Sequence, residues 1–283
     1  MCGWRNWNGA QKLGGTAALL AIGFGLGVSL SRVAPAGEPE AREALRDDAG
    51  ERLPDVKKII ARFVEATGGA EAYRKIENVV MQGQLRMPQM GMQADMKLIN
   101  VVNGDFRVEV MIPGVGDQVT GKSGDVVWEH SAMTGPRILA GAERDAMMRQ
   151  QDFLWMLEPE GRYEVMETVA VETFEGERAY KVRLVTPEGV EETSWFSVES
   201  GLLIGSEATL PSDMGDIPTR TKISDYRERA GVRMSHRMEQ TMLNMTNVME
   251  FTDVRINTEI DDEDLAMPEP VRRLVERQRQ RED

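Results

Sequence analysis

The sequence predicts a mainly β protein of the α+β type: a large curved antiparallel sheet, covered by helices and preceded by an apolar N-terminal helix. Three observations support this prediction. From about residue 78 onward, apolar side chains recur at every second position, which is typical of strands with one dry and one wet face. Turn signals such as Asn103-Gly104 and Ser200-Gly201 separate these runs at short intervals. Helical periodicity is confined to a segment before the first run and to one interruption between strands.

The composition limits the classes of function that the chain can have. Its 283 residues include 47 acidic and 34 basic side chains, which gives a formal net charge of −13. Nucleic acids and anionic lipid surfaces are bound through basic patches, so this excess of acidic residues argues against both as electrostatic partners. The single cysteine, Cys2, excludes an internal disulfide, a cysteine-based zinc site and a Cys-x-x-Cys redox pair.

Residues 1–36 are predicted to be a signal peptide or a membrane anchor. Residues 13–31 carry no charge and would extend about 28 Å as a helix, close to the thickness of the hydrocarbon core of a bilayer. Two interpretations stay open: Ala34-Pro35-Ala36 resembles a signal-peptidase site, whereas the length of the run suits a retained anchor. Arg5 and Lys12 favour a cytoplasmic N-terminus, which places the bulk of the chain in the periplasm or at the extracytoplasmic face, with the inner membrane as the site of any anchor. The apolar residues of the segment are Leu19, Leu20, Ile22, Phe24, Leu26, Val28 and Leu30.

The remainder divides into a charged linker (37–54), a globular domain (55–268) and a charged tail (269–283) that frays or forms an exposed helix. Asp55 is expected to cap the first helix of the domain. Gly68-Gly69 is expected to end it, because glycine adopts left-handed conformations without steric cost. The apolar face of this helix has the spacing i, i+3, i+4, i+7, i+8 and consists of Val56, Ile59, Ile60, Phe63 and Val64.

The strands are predicted from alternation and from turns. Alternation is clearest at residues 81–87, 92–98, 106–112 and 180–184, and a helix is expected at 142–157. Five later strands are predicted at residues 190–198, 202–210, 218–227, 232–243 and 246–258. Strands at such short spacing indicate hairpins and a meander, and a sheet with this many strands must curl because its twist accumulates. An apolar concave face then packs helices against itself or leaves a cavity for an apolar ligand.

Several segments resemble the LolA-like outer-membrane lipoprotein-sorting proteins. In IIARFVEATGGAEAYRKIENVVMQGQLRMPQMGM (59–92), a helix that ends in Gly-Gly leads into strands. Further matches are GDVVWEHSAMTGPRIL (124–139), VESGLLIGSEA (198–208), DMGDIPTRTKISDYRERAGVRMSHRM (213–238) and EIDDEDLAMP (259–268). The resemblance spans about residues 56–268 and implies a half-open antiparallel barrel that shelters lipoprotein acyl chains under helices. The sequence departs from the family at turn 102–105, where an arginine-proline pair that helps hold the lid is absent. A retained anchor would also contradict free movement between membranes.

The candidate ligand-binding residues are large apolar side chains on the predicted concave face. Methionine is flexible and polarisable, which suits a cavity that accepts different acyl chains, and tryptophan stacks along apolar ligands. Core packing explains the same pattern, and for any single residue it is the simpler interpretation. The candidates are Met81, Met96, Leu98, Phe106, Val108, Trp128, Trp155, Trp195 and Met238.

Catalysis has little support in the sequence. The only histidines, His130 and His236, have no partner at metal-ligand spacing, and no serine-hydrolase or zinc-protease motif occurs. The acidic run at residues 261–264 lacks the alternating ligands and the glycine of a calcium loop. No metal and no cofactor is predicted. A hydrolase would need a cleft with convergent carboxylates, or a carboxylate beside one of the histidines.

Two functions from different classes follow from these observations. The first is a cell-envelope protein that binds or carries a lipid or an acylated protein in its concave face. The alternative is a membrane-anchored sensor or scaffold that binds an envelope partner protein without lipid transport. In both, the N-terminal segment provides contact with the membrane, and nucleic acid is not a partner.

Overall fold

The computed structural model describes residues 52–210 and 217–282, and the predicted N-terminal segment lies outside them. The described residues form one 13-stranded sheet with five α-helices and three short 3₁₀ turns. The helices are α1 (Val56–Ala66), α2 (Ala70–Tyr73), α3 (Gly141–Gln151), α4 (Pro159–Arg162) and α5 (Glu269–Glu282). The strands are β1 (Asn78–Met87), β2 (Met92–Val101), β3 (Phe106–Ile112), β4 (Gly116–Ser123), β5 (Val126–Ser131), β6 (Gly135–Ile138), β7 (Val165–Phe174), β8 (Glu177–Val185), β9 (Glu191–Ser197), β10 (Leu203–Leu210), β11 (Ile217–Arg229), β12 (Val232–Met242) and β13 (Met245–Ile256).

The sheet consists of two meanders joined at its centre. The strand order is β6-β5-β4-β3-β2-β1-β13-β12-β11-β10-β9-β8-β7, and all neighbours are antiparallel. The first and last strands pair, with Val79 opposite Ile256 and Leu85 opposite Met249. Consecutive strands β6 and β7 therefore lie at opposite edges of the sheet. Residues 139–164, called the crossover below, connect these two edges and contain α3 and α4.

The sheet is curved and open. One cluster of buried side chains includes Val108 from β3 and Leu184 from β8, which are eight strand positions apart. In a flat sheet, eight steps of about 4.8 Å would separate these strands by roughly 38 Å. The same cluster contains Phe63 from α1 and Met156 from the crossover, so the inner face of the sheet wraps around both. The predicted mainly β fold, with a large curved antiparallel sheet and covering helices, is confirmed.

Helix α1 forms as the sequence predicts. The Asp55 side chain accepts a 2.8 Å hydrogen bond from the backbone N–H of Lys57, and the five predicted apolar residues are all buried. After the helix, Gly68 has a φ of +124°, and a Cβ there would lie 2.2 Å from the carbonyl oxygen of Gly231. Glycine is thus required both for the turn and for the close approach of α1 to the start of β12.

The crossover helix is shorter than predicted. A single helix was expected at residues 142–157, but α3 ends at Gln151, and a 3₁₀ turn follows at Trp155–Leu157. Asp152 has an extended conformation, and its carboxylate accepts a 3.1 Å hydrogen bond from the backbone N–H of Leu154. This local hydrogen bond competes with continuation of the helix.

The charged tail contains α5, which packs on the outer face of the sheet. Val271 is fully buried, and with Val275 it contacts a cluster that includes Trp128 and Val119. The helix therefore covers part of the outer face near β5 and β6.

Candidate functional site

A cavity lies between α1, the crossover and the inner face of the sheet, and its volume is about 180 Å³. Its apolar lining comes from all three parts: Phe63, Tyr73, Val79, Met81, Phe153, Trp155, Met156, Leu203, Ile223, Tyr226, Met234 and Met238. Its polar lining is concentrated in the crossover and on the sheet: Asn100, Arg149, Gln150, Gln151, Asp152, Arg162, Ser206, Thr221, Arg233 and Ser235. Apolar walls with a few polar groups are typical of small-molecule sites.

The crossover positions its side chains over the sheet through short, sharply ended elements. Because β6 and β7 lie at opposite edges, this segment has to cross the sheet, and it packs in the buried cluster of the inner face. Helix α3 buries only Ala146, Gln150 and Gln151, whereas α1 buries five apolar side chains. Pro159 begins α4. Proline is tolerated there, because a backbone N–H in the first turn of a helix has no hydrogen-bond partner within the helix. Helix α3 therefore buries fewer apolar side chains than α1.

Three predicted residues line the cavity: Met81 on β1, Trp155 in the crossover and Met238 on β12. Their positions relative to each other follow from the sheet order, since β1 and β12 flank β13. Met234, which lies on β12 as Met238 does, lines the cavity as well. The structure thus brings together part of the predicted set.

Four other predicted residues belong to the buried cluster beneath the helices but do not line the cavity. Met96 and Leu98 on β2, with Phe106 and Val108 on β3, are almost completely buried. They fill the inner face with the protein's own side chains.

The other two predicted tryptophans lie in separate clusters. Trp128 packs with Val119 and α5, and its indole N–H donates a 3.3 Å hydrogen bond to the hydroxyl of Ser123. Trp195 stacks on Phe174 at a centroid distance of 4.5 Å and donates a 2.8 Å hydrogen bond to Glu172. Both side chains therefore contribute to packing away from the cavity.

A buried polar cluster joins the crossover to the sheet beside the cavity. The hydroxyl of Tyr163 donates a 2.7 Å hydrogen bond to Oε2 of Glu192, and an Arg162 guanidinium nitrogen lies 4.0 Å from Oε1 of the same carboxyl group. Arg162 also donates a 2.9 Å hydrogen bond to the carbonyl oxygen of Arg149. These contacts fix the C-terminal half of the crossover on β9.

Burial controls the protonation of this cluster. Loss of solvent raises the pKa of Glu192 to about 7, although Arg162, the Tyr163 hydrogen bond and Arg149 oppose the rise. Burial also raises the pKa of Tyr163 well above its usual value, and the nearby Glu192 carboxyl adds to this effect. For Arg149, burial lowers the pKa. Glu192 therefore titrates near neutral pH.

Three buried side-chain oxygens that belong to cavity-lining residues have no hydrogen-bond partner among the described residues. They are Oδ1 of Asn100, Oε1 of Gln150 and Oε1 of Gln151, and each of these residues is at least nine-tenths buried. A buried polar group without a partner is costly, so such groups in native proteins usually meet water or a ligand. The cavity is therefore amphipathic.

The polar cluster was missed at the level of sequence, although a signal was present. Strand β9 was predicted, and Glu192 and Ser194 have the same parity as the apolar Phe196. Because alternate residues share one face, Glu192 had to point inward if Phe196 did. Its partners Tyr163 and Arg162 lie in the crossover, which no local pattern connects to β9.

The two histidines lie on different strands, β5 and β12. His130 lies on β5 opposite Val119, and His236 is buried on β12 with Nδ1 2.9 Å from the carbonyl oxygen of Met234. Among residues 52–210 and 217–282, no group of three His, Cys, Asp or Glu side chains could hold a metal ion. Over the same residues, none of the helices has the length and apolar character that crossing a membrane requires.

No protein-family model matches the sequence, and no curated protein matches it. Solved structures do match the fold. A domain named as an outer membrane lipoprotein-sorting protein from Vibrio parahaemolyticus has a TM-score of 0.51 at 12% identity, covering 74% of this chain and 95% of that one. The LolA superfamily protein NE2245 from Nitrosomonas europaea has a TM-score of 0.51 at 13% identity, covering 76% and 99%.

A DUF1329 family protein from Desulfovibrio piger has a TM-score of 0.53 at 12% identity, and the match covers 76% of this chain and 98% of that one. At such low identity these likenesses concern the fold alone. The chain has a LolA-like fold, as its sequence segments predicted.

Proposed function

We propose that the protein is a cell-envelope lipid-binding protein that holds an acyl chain, free or attached to a protein, in the cavity under the crossover. The observation that carries this proposal is the cavity itself, with apolar walls from α1, the crossover and the sheet. Met81, Met234 and Met238 give it walls that adapt to different chains. The names of two proteins with this fold, which refer to lipoprotein sorting and to LolA, support the same class of ligand.

The size of the cavity suggests how a chain would enter. An engineered cavity of about 150 Å³ holds benzene, and typical ligand sites measure about 300–1,000 Å³. At about 180 Å³, this cavity accepts part of an acyl chain and no more. A longer ligand requires the crossover to move away from the sheet.

The contacts of the crossover suit such a movement. Helix α3 buries one apolar residue, Ala146, and its two other buried side chains are glutamines. Segments with few buried apolar contacts open at low free-energy cost. At its other end, the crossover is held by Tyr163 and Glu192. In this account the α3 part opens while the α4 part stays attached to β9.

Native mass spectrometry with lipid extraction tests the proposal on residues 52–283, which contain every element described above. The protein is purified from a host with a cell envelope. We expect co-purifying lipid at defined stoichiometry. The variant Met238→Asp places a charge in the cavity wall and should lose that lipid, since an isolated charge is costly to bury. Val102→Asp, at an exposed turn, is the matched control.

A ligand-free mass for the unmodified protein, together with no uptake of added fatty acids or acylated peptides, would contradict lipid binding. The anchored sensor or scaffold that binds a partner protein would then be the leading function. Circular dichroism of each variant separates loss of ligand from loss of fold.

A further inference from the structure

Exposed apolar side chains are concentrated at one end of the sheet. Among the described residues, six large hydrophobic side chains are exposed. Five of them lie at or beside four hairpin turns at this end, and the sixth, Val102, lies in a turn at the opposite end. The five are Met90 in the β1–β2 turn, Met111 and Val115 at the β3–β4 turn, Met133 in the β5–β6 turn and Leu243 in the β12–β13 turn. We call these five side chains the apolar rim.

The sheet topology places the four turns side by side. Turns that follow β1, β3 and β5 lie at the same end, because each strand is antiparallel to the next. The β12–β13 turn joins them, since Val248 near the start of β13 pairs with Arg86 near the end of β1. Successive turns are two strands apart, or about 10 Å at about 4.8 Å per strand. The rim is therefore a row of separate tips along an arc from β12 to β6.

The turns that carry the rim contain no charge. Residues 87–94, 110–116, 131–136 and 240–249 include no Asp, Glu, Lys or Arg, although 29% of the chain is charged. The hairpin turns at the opposite end differ. They contain or adjoin a charged residue in each case that the structure describes: Asp105, Asp125, Glu175, Glu199 and Arg229. From β12 to β6 the two ends of the sheet thus differ in chemistry, whereas the β8–β9 turn, farther along the rim end, carries Glu188.

We propose that the apolar rim inserts into the interface of a lipid bilayer and docks this end of the domain on a membrane. Apolar tips about 10 Å apart, each on its own hairpin, do not form one continuous strip, whereas a deformable lipid surface accommodates each tip individually. The absence of charge in all four turns suits entry into the low-dielectric part of the interface. Arg86 and Asp117, the charges closest below the β1–β2 and β3–β4 turns, limit how deep the tips enter.

The net charge of the protein defines the class of membrane surface. With a formal net charge of −13, the chain is repelled by anionic lipids, so apolar contact has to provide the docking. Binding to a zwitterionic surface through the rim should therefore be insensitive to salt, unlike binding through basic residues. This docking surface is independent of the cavity, which lies between the helices and the inner face of the sheet.

Depth-sensitive labels on the full chain test this proposal. Cys2, the only cysteine, is replaced by Cys2→Ser, and a single cysteine is introduced at Met133→Cys, Leu243→Cys or Val102→Cys. Each carries an environment-sensitive fluorophore, and the protein is reconstituted with phosphatidylcholine vesicles that contain no other protein. Val102 is the matched control, because it is about as exposed as Leu243 but lies at the opposite end. Each label reports the depth of its own residue relative to the bilayer, even if the N-terminal segment also enters the bilayer.

We expect the fluorescence of the labels at positions 133 and 243 to shift to the blue. Their quenching by aqueous iodide should fall several-fold, at low and at high salt. The label at position 102 should stay in water. Adding Met90→Asp and Val115→Asp should abolish the shift at position 133. Labels at 133 and 243 that stay as accessible as the label at 102 would overturn membrane docking, and so would burial of all three labels. Neither result bears on whether the cavity binds lipid.

Discussion

The hydroxyl of Tyr163 donates a 2.7 Å hydrogen bond to Oε2 of Glu192, and both residues are buried. This contact joins the end of the crossover to β9, a strand near the edge of the sheet that the crossover reaches. Arg162 lies beside the same carboxyl group. A segment that must lie over a cavity is therefore fixed at one end by a titratable group.

Glu192 makes stability depend on pH. Its pKa is about 7 in the folded protein and about 4.5 in a solvated chain, so folding favours the protonated form. The stabilisation from this group is complete below pH 4.5 and is lost as the pH rises through 7. At about 1.4 kcal/mol per pKa unit, the loss is roughly 3 kcal/mol.

The variant Glu192→Gln, which keeps an acceptor for Tyr163 but cannot ionise, should lack this dependence. Urea unfolding at several pH values measures the difference between the two proteins, so all other titrating groups cancel. We expect the unmodified protein to lose stability relative to the variant between pH 4.5 and pH 8. Parallel stability curves would show that Glu192 titrates at an ordinary pKa.

Gln150 offers a test of the unpartnered oxygens in the cavity. Its Oε1 has no hydrogen-bond partner among the described residues, and the residue is 5% exposed. Replacing an unsatisfied buried amide by an apolar side chain of similar size, Gln150→Leu, should stabilise the ligand-free protein by about 1 kcal/mol. Thermal unfolding measures this change, with Gln93→Leu at an exposed position of β2 as the control. A marked loss of stability would indicate that ordered water satisfies Gln150.

Gly205 tests the packing of the outer face. A Cβ at this position would lie 2.1 Å from the ring of Phe174, which stacks on Trp195. Gly205→Ala should therefore destabilise the protein by about 1–3 kcal/mol, the usual cost of overpacking. The control is Gly161→Ala in α4, where a Cβ would meet nothing within 4 Å and alanine favours the helix. Equal unfolding free energies for both variants would contradict the packing described here.

Much of the sheet could be predicted from local pattern. Strands β9–β13 begin and end within about two residues of the predictions, because alternation and Gly-containing turns mark them. Strand β4 was not located, since its sequence GDQVTGKS has only one large apolar residue, Val119. Strand β7 was missed as well. Its residues are nearly all partly exposed, so no clear dry face appears in its sequence.

The order of the strands and most of the site depend on distant contacts. Nothing local indicates that β1 pairs with β13 or that the crossover spans the sheet. Parity places Met81 and Met238 on the inner face, and they line the cavity. For Trp128, the sequence shows an apolar residue in a strand but not that α5 covers the outer face beside it.

The most direct test of lipid binding uses Trp155. Residues 52–283 contain three tryptophans, and of these only Trp155 lines the cavity, whereas Trp128 and Trp195 pack elsewhere. A fatty acid with a brominated chain quenches indole fluorescence on contact. We expect saturable quenching that Trp155→Phe removes and Trp128→Phe leaves intact. Quenching that persists in Trp155→Phe, or none in the unmodified protein, would contradict binding of an acyl chain in the cavity.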